Sequence, residues 1–534
     1  MSEELKEKDI SELSELADTN QKSESTFQEN KATHATRYIV LSAVFGLFFV
    51  LGVTLIAISI WYKNNYFLEF KELLYVLTGP LEGTGGSMIS DILWATVPYA
   101  SVALVLYFAA VIILANKKNL IKKAVALKWI RIGGSLLCSC TLIFSLVFTA
   151  FAFRINTYSS AMRESTDIYE KYYVDPATAK ITSNGKTKNL IHIYVESLEN
   201  THATVENGGY MTEDYMPNLT KLAKENLSFS SKGEGQLGGF RTVTGSGWTI
   251  AALLATSSGI PYAFSVGSND MDKVKNFAPK MTNFGDILEK NGYRQMFLCG
   301  SDASFAGRDK LYKQHGGYEI YDLSTARKNG DLPSPIYHNM WWGYEDKYLF
   351  EIAKEQVTEM AKGDKPFNLT MLTVDTHPKG GYVCDLCGNE FENQTANVIK
   401  CTDKLVYDFV EWCKTQDFYK DTVIVIMGDH PRHDNALVEH VNYAERTMYN
   451  CFINAAITPE NATTNREWTS LDVFPTMLSA MGFEIEGERL GLGVNVFSEA
   501  ETLAEQMSFD GLNAEMNKFS EFYLVNFAYS DDEK

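Results

Sequence analysis

Three apolar runs constrain this chain more than any other feature: Tyr38 to Trp61, Ile92 to Ala115 and Ile132 to Phe153. Each is close to the ~20 residues that a helix needs to cross the hydrocarbon of a bilayer. A chain with three such helices is expected to be a membrane protein, with a membrane domain over residues 37–153. A cleaved signal peptide does not fit the first run, which is too long and follows a long polar segment. Asp91 and Arg131 stand at interfacial positions, and Trp61, Tyr62, Trp94 and Trp129 suit the aromatic belts at the membrane surfaces. Between the second and third runs lie Lys117, Lys118, Lys122, Lys123 and Lys128, so that loop is predicted to be cytoplasmic. Three crossings then put the N-terminus inside and everything after about Arg154 outside. Residues 1–36 are polar, charged and poor in aromatics, which predicts a disordered or transiently helical tail.

The net charge of −19 over 534 residues argues against nucleic acid as a partner, because such a binder needs a basic face. An acidic chain can still bind an anionic substrate at one local cationic site. Cys138 and Cys140 fall within the third apolar run and have a small apolar role there. Outside it, Cys384 and Cys387 form a CxxC followed by Cys401, with Cys299, Cys413 and Cys451 elsewhere. An oxidising compartment predicts a structural disulfide from Cys401 to one member of the pair. No second paired set completes a zinc knuckle.

After a linker at 154–186, residues 187–500 read as one α/β domain, followed by a C-terminal extension at 501–534. The strand candidates are LIHIYVES, YRQMFLCG, FNLTMLTVDTH, DTVIVIMGDH and YNCFINAA. They alternate with amphipathic segments such as MTNFGDILEKNGY and CTDKLVYDFVEWCKTQ. Near-continuous apolar strands between helix-length segments predict a mostly parallel sheet covered on both faces. Ligands bind such sheets beyond the carboxyl ends of the strands. The residues that close the strands are Glu196, His377, Asp429 and His430. Any one of them can be an ordinary strand-end residue. Together, two carboxylates with an imidazole suit a divalent cation, Mn²⁺ with Zn²⁺ or Mg²⁺ as alternatives.

That set lacks a nucleophile, and the stretch TGSGWTIAALLATSSGIP offers one. Ile250, Leu253 and Leu254 have helical spacing, glycines precede the run, and Gly259 with Pro261 ends it. Thr249 is therefore expected at a helix start, where unpaired N–H groups favour a phosphate or an alkoxide. A simple N-cap is the competing role for the same residue.

With these residues in view, the external part resembles the lipoteichoic acid synthase and phosphoglycerol transferase family of the alkaline phosphatase superfamily. The resemblance runs over roughly 187–500 through YVESLENT, GSGWTIAALLATSSGIP, FLCGSDASFAGRDKLYKQHG, LTVDTHPKGGY and MGDH, with SLDVFPTMLSAMG and RLGLGVNVF after them. It is nearest the branch that modifies osmoregulated glucans. It implies an alkaline phosphatase-like α/β/α sandwich, with Glu196, Thr249, Asp429 and His430 as metal ligands and Thr249 also as nucleophile. It further implies that Arg308 and His377 contact the substrate phosphate or glycerol, with His377 able to assist proton transfer. Phosphatidylglycerol is the implied donor, and a glycan or a polyglycerol phosphate chain the implied acceptor. Lipoteichoic acid synthases carry an aromatic residue near that Arg, where this chain has Ala306 and Gly307; the departure points to the glucan-modifying branch. The CxPxR or SxPxR of sulfatases is not found near Thr249. A phosphoethanolamine transferase, another phospho- or sulfo-ester hydrolase, and a non-catalytic binding protein on the same fold are the competing readings.

Overall fold

The computed structural model describes residues 2–65, 70, 73–74, 86–116, 124–183, 187–264, 275–333, 342–434 and 436–528. The lysines at 117, 118, 122 and 123 lie outside the described residues. Contacts divide the chain into two compact units, residues 1–63 with 89–153, and residues 64–88 with 154–534.

The first unit consists of helices Ser2–Asn65, Gly86–Asn116 and Ala124–Ala152. The stretches long and apolar enough to cross a membrane are Thr36–Asn65, Ser90–Leu114 and Lys128–Ala152. Small residues let the first and third helices approach closely. A Cβ on Gly52 would stand 3.0 Å from Thr141 Cγ2, and the Ser59 and Thr149 hydroxyls are 2.9 Å apart. Tyr62 stacks on Phe153 at 4.4 Å. The polar segment expected as a loose tail is drawn as helix continuous with the first span. Its Glu, Lys and Leu content favours helix, and a preformed apolar helix removes the cost of nucleation.

In the second unit the main sheet is built from β2 (Asn189–Val195), β3 (Arg294–Cys299), β4 (Glu319–Tyr321), β5 (Phe367–Leu372), β6 (Thr422–Gly428) and β7 (Asn450–Ile453). Ahead of them β1 (Ile181–Ser183) pairs antiparallel with β8 (Phe483–Ile485), and β9 (Arg489–Leu490) with β10 (Gly493–Val494). The main sheet runs β4-β3-β5-β2-β6-β7, all neighbours parallel except β6 and β7. The mostly parallel sheet expected from the strand pattern is therefore present, and YNCFINAA supplies its antiparallel edge.

Alternation along β2 divides the core. Leu190 and Tyr194 join a cluster with Ile250, Leu253 and Leu254 on one face. Ile191, Ile193 and Val195 join another with Val406, Phe409 and Val410. Helix Thr249–Ser258 thus covers one side of the sheet and helix Gln394–Lys414 the other, giving three layers. The central strands are buried on both faces, which explains their unbroken apolar runs.

Candidate active site

Register decides what meets at the carboxyl edge. Val195 lies opposite Gly428, so the residues that follow, Glu196 and Asp429, emerge side by side. Gly428 permits this closeness, because a Cβ there would fall 1.7 Å from the Leu198 carbonyl oxygen. Ser197, at φ 53°, turns the chain after β2 so that its N–H reaches Asp429 Oδ1 at 2.8 Å. Its hydroxyl donates to Glu196 Oε1 at 2.7 Å. From β5, the Thr373 hydroxyl accepts the Glu196 N–H at 3.0 Å, and the Thr376 hydroxyl donates to the Glu196 carbonyl at 2.5 Å.

Thr249 is the first residue of helix Thr249–Ser258, and Trp248 is its N-cap. The capping role is therefore excluded for the Thr249 side chain. Its hydroxyl lies 3.4 Å from Glu196 Oε2 and 3.2 Å from His430 Nε2. The helix behind it is buried from Ile250 to Ser258 and ends at Gly259 in the left-handed conformation. The Thr256 hydroxyl, two turns on, meets the Tyr194 hydroxyl at 2.6 Å and fastens the helix to β2.

Asp429 Oδ2 and Glu196 Oε1 stand 3.3 and 3.5 Å from His430 Nε2. Burial pushes the Asp429 carboxyl up to about 7, and the neighbouring Glu196 charge adds to it. Burial acts on Glu196 in the same direction, but His430, His377 and the Ser197 hydroxyl outweigh it and hold that carboxyl below its usual range. Two buried carboxylates and a threonine hydroxyl thus converge on one imidazole nitrogen.

His377 belongs to this neighbourhood through its electrostatic interaction with Glu196 and His430. Burial lowers its pKa, and its ring lies against Trp342 with centroids 4.3 Å apart and the planes tilted by 39°. The Nδ1 edge faces the Pro378 carbonyl at 2.5 Å, which leaves Nε2 as the other edge of the ring. Arg308 is buried, and its guanidinium donates to the carbonyls of Asp302 and Phe305 at 2.6 and 3.2 Å. Among the described residues no bond joins Arg308 to the Glu196, Asp429 and His430 cluster.

Several participants carry no obvious mark in the sequence. His433 stacks on His430 at 4.6 Å and contacts the Gly247 carbonyl at 2.7 Å, bracing the turn before Thr249. Fully buried Arg432 donates to both Asp434 oxygens at 3.1 and 2.9 Å and to the Thr376 carbonyl at 2.6 Å. Glu199 pairs with Arg446 at 0% side-chain exposure for both. The run DHPRHD is a signal that could have found Arg432, His433 and Asp434: alternating ionisable residues after an apolar strand have few reasons to be buried except at a site.

Comparison with known proteins follows this geometry. A profile described as Sulfatase matches residues 188–483, more than half of the chain.

The chain belongs to the sulfatase family.

Among curated relatives, phosphoglycerol transferase I of Salmonella choleraesuis (strain SC-B67) is 30% identical over 480 residues, 85% of this chain and 56% of the relative. The Escherichia fergusonii protein of the same name is 30% identical over 471 residues, covering 84% and 55%. The chain spans about half the length of these relatives. A solved lipoteichoic acid synthase, LtaP from Listeria monocytogenes, is similar at 17% identity and a TM-score of 0.46, over 60% of this chain and 79% of that one.

Sulfatase-family proteins generally depend on a divalent metal, and the residues present fit one. Glu196, Asp429 and His430 each offer a ligand atom, all within 4.8 Å of one another. Ligand bonds of ~2.0–2.2 Å place adjacent donors about 3 to 3.5 Å apart, the spacing found here. Buried Asp429 Oδ2 makes no hydrogen bond, an expensive arrangement unless a cation faces it.

Proposed function

We propose that this chain is a membrane-anchored phosphoglycerol transferase that moves glycerol phosphate from phosphatidylglycerol to a glycan or polyglycerol phosphate acceptor. The observation that carries the reading is the Thr249 hydroxyl, released from capping and held 3.2 to 3.4 Å from His430 and Glu196 at a helix start. The names of the curated relatives support the substrate class. A divalent cation held by Glu196, Thr249, Asp429 and His430, manganese by preference, would neutralise phosphate charge and acidify the threonine hydroxyl. Thr249 Oγ forms a bond to phosphorus, and the bond from phosphorus to the diacylglycerol oxygen breaks. The N–H groups at the helix start stabilise the negative charge that develops on the phosphoryl oxygens. Neutral His377 takes the Thr249 proton and passes it to the leaving oxygen, then takes one from the acceptor hydroxyl, which attacks phosphorus, and returns it to the freed Thr249. Arg308 offers paired donors to the phosphoglyceryl group if its guanidinium turns from the Asp302 and Phe305 carbonyls.

The lysines between the second and third apolar runs favour an extracytoplasmic catalytic domain, and a membrane anchor would keep that domain close to lipid headgroups. The test is incubation of the purified full chain with phosphatidylglycerol, Mn²⁺ and candidate glycans, followed by mass spectrometry of products and of Thr249. Diacylglycerol release with a phosphoglyceryl adduct on Thr249 is expected. A Thr249→Ala protein that still releases diacylglycerol at the wild-type rate refutes the proposal, and preference for phosphatidylethanolamine replaces it with a phosphoethanolamine transferase.

A further inference from the structure

Cys384, Cys387 and Cys401 share no residue with the strand-end cluster, yet their sulfurs gather at one point. Cys384 Sγ is 3.5 Å from Cys387 Sγ and 3.7 Å from Cys401 Sγ, and all three atoms lie within 4.8 Å of one another. The disulfide expected from Cys401 to one of the pair is not formed; all three are free thiols. A disulfide needs sulfurs at ~2.05 Å. Thiolates around a tetrahedral zinc ion at ~2.3 Å stand about 3.7 Å apart. The spacing here is that of ligands sharing an ion.

Two thiols touch in many cores, but gathering three takes a specific arrangement. Cys384 and Cys387 bracket a turn closed by the Cys387 N–H on the Cys384 carbonyl at 3.2 Å. Cys401 comes from helix Gln394–Lys414, on the face that also carries Gln394 and Val398, at i, i+4 and i+7. That face grips the preceding loop. Gln394 Nε2 donates to the carbonyls of Gly380 and Gly381 at 3.1 Å, and a Cβ on Gly381 would come 2.9 Å from Val398 Cγ1. The third thiol thus continues a contact that the chain has already built.

Counting and charge point the same way. Three thiols cannot all be used in disulfides with one another. Cys299, Cys413 and Cys451 are buried in the sheet and helix cores, and Cys138 and Cys140 lie in an apolar helix. A single disulfide would therefore strand one reactive thiol, whereas one ion engages all three. Glu345 and Asp375 interact electrostatically with Cys384, so acidic groups rather than a bulky apolar pocket adjoin the thiols. Cys387 and Cys401 are partly exposed, which leaves room for water as a fourth ligand.

We propose that Cys384, Cys387 and Cys401 form a soft-metal site that binds one zinc ion, with water in the fourth position. The three ligands bind as thiolates, so uptake releases their protons. Because the turn follows His377 by only a few residues, the ion fastens the His377 loop to helix Gln394–Lys414.

Cobalt is the probe, because a thiolate site gives a thiolate-to-cobalt charge-transfer band that an oxygen and imidazole site does not. The full chain in detergent, freed of metal by a chelator and titrated with Co²⁺, should show that band saturating at one equivalent. Cys401→Ser should weaken it by at least about tenfold in cobalt affinity, while Glu196→Gln should leave it intact. Should Cys401→Ser not fold, thiol alkylation of the wild-type chain before titration must abolish the band. Absence of the band from wild type, an unchanged cobalt affinity in Cys401→Ser, survival of the band after alkylation, or a Cys401 disulfide in non-reduced peptides from most chains overturns the proposal. None of these readouts depends on phosphoglycerol transfer.

Discussion

Substitution of Glu199 by glutamine tests how the strand-end loops are held together. Glu199 Oε1 accepts the Arg432 N–H at 3.1 Å and an Arg446 Nη2 bond, and Oε2 accepts from the Thr201 hydroxyl at 2.6 Å and Arg446 Nε at 2.7 Å. Arg446 Nη2 also reaches the Arg432 carbonyl at 2.8 Å. Glu199 is three residues after Glu196 and Arg432 two after His430, so one buried pair ties the loops that carry Glu196 and His430. Burial pushes the Glu199 carboxyl up, but the Arg446 guanidinium pulls it down to about 2. Glutamine keeps the shape, but its NH₂ must then face N–H donors on at least one side, and Arg446 loses the carboxylate it directly pairs with. Breaking such a pair costs about 3 to 5 kcal/mol. Urea unfolding of the full chain in detergent, followed by tryptophan fluorescence, should show a loss of that size. Glu199→Met with Arg446→Met should recover most of it, because apolar replacement of a whole buried pair is often neutral or better. A Glu199→Gln cost under ~1 kcal/mol, the value of an exposed pair, would refute the reasoning.

Acid should weaken the domain through a buried imidazole. His192, buried within β2 and lowered to about 3 by desolvation, binds a proton in the unfolded chain from about pH 6.5 downward but in the folded chain only near pH 3. The unfolded state therefore binds more protons across that window, and stability falls with pH, by about 2 kcal/mol at about pH 5 from this residue alone. His192→Gln should flatten that slope in urea titrations across the window, and an unchanged slope counts against it. Gly428→Ala should prevent close pairing of the two loops, with a loss on the order of 4 kcal/mol or more and no high-affinity Mn²⁺ binding by calorimetry; near-wild-type stability contradicts the packing argument. Mn²⁺ at about 100 times its Kd should stabilise wild type by about 2.7 kcal/mol. Asp429→Asn should lose most of that increment in a thermal-shift measurement.

The sequence was most legible where burial leaves a pattern. Strands β2, β5 and β6 are covered on both faces and so read as unbroken apolar runs, and the polar residue closing each run announces the sheet edge. Thr249 was legible as a helix start from the glycines before it and Ile250, Leu253 and Leu254 after it. Pairing direction leaves no such mark, so the antiparallel course of β7 was hidden in a segment that resembles its parallel neighbours. Glu199 and Arg446 look like surface residues to any one-dimensional reading, because their charges are buried only where partners distant in the chain meet. The cysteines misled for a related reason: compartment argues for a disulfide, whereas the meeting of three sulfurs depends on how the 377–387 loop lies against a later helix.

The parallel order β5-β2-β6 also has a kinetic consequence. Thr249 meets Glu196 across 53 residues and His430 across 181, and the Ser197 to Asp429 bond spans 232. No local fragment contains the centre, so loop-closure entropy must be overcome before any of these contacts contributes, which makes for slow, late assembly. During synthesis, Glu196 and Thr249 are made long before the strand that completes their surroundings. Until β6 docks between β2 and β7, the chain holds an exposed central strand and a scattered set of ligands. Activity should therefore appear in one step with global folding, rather than accumulate as the domain grows.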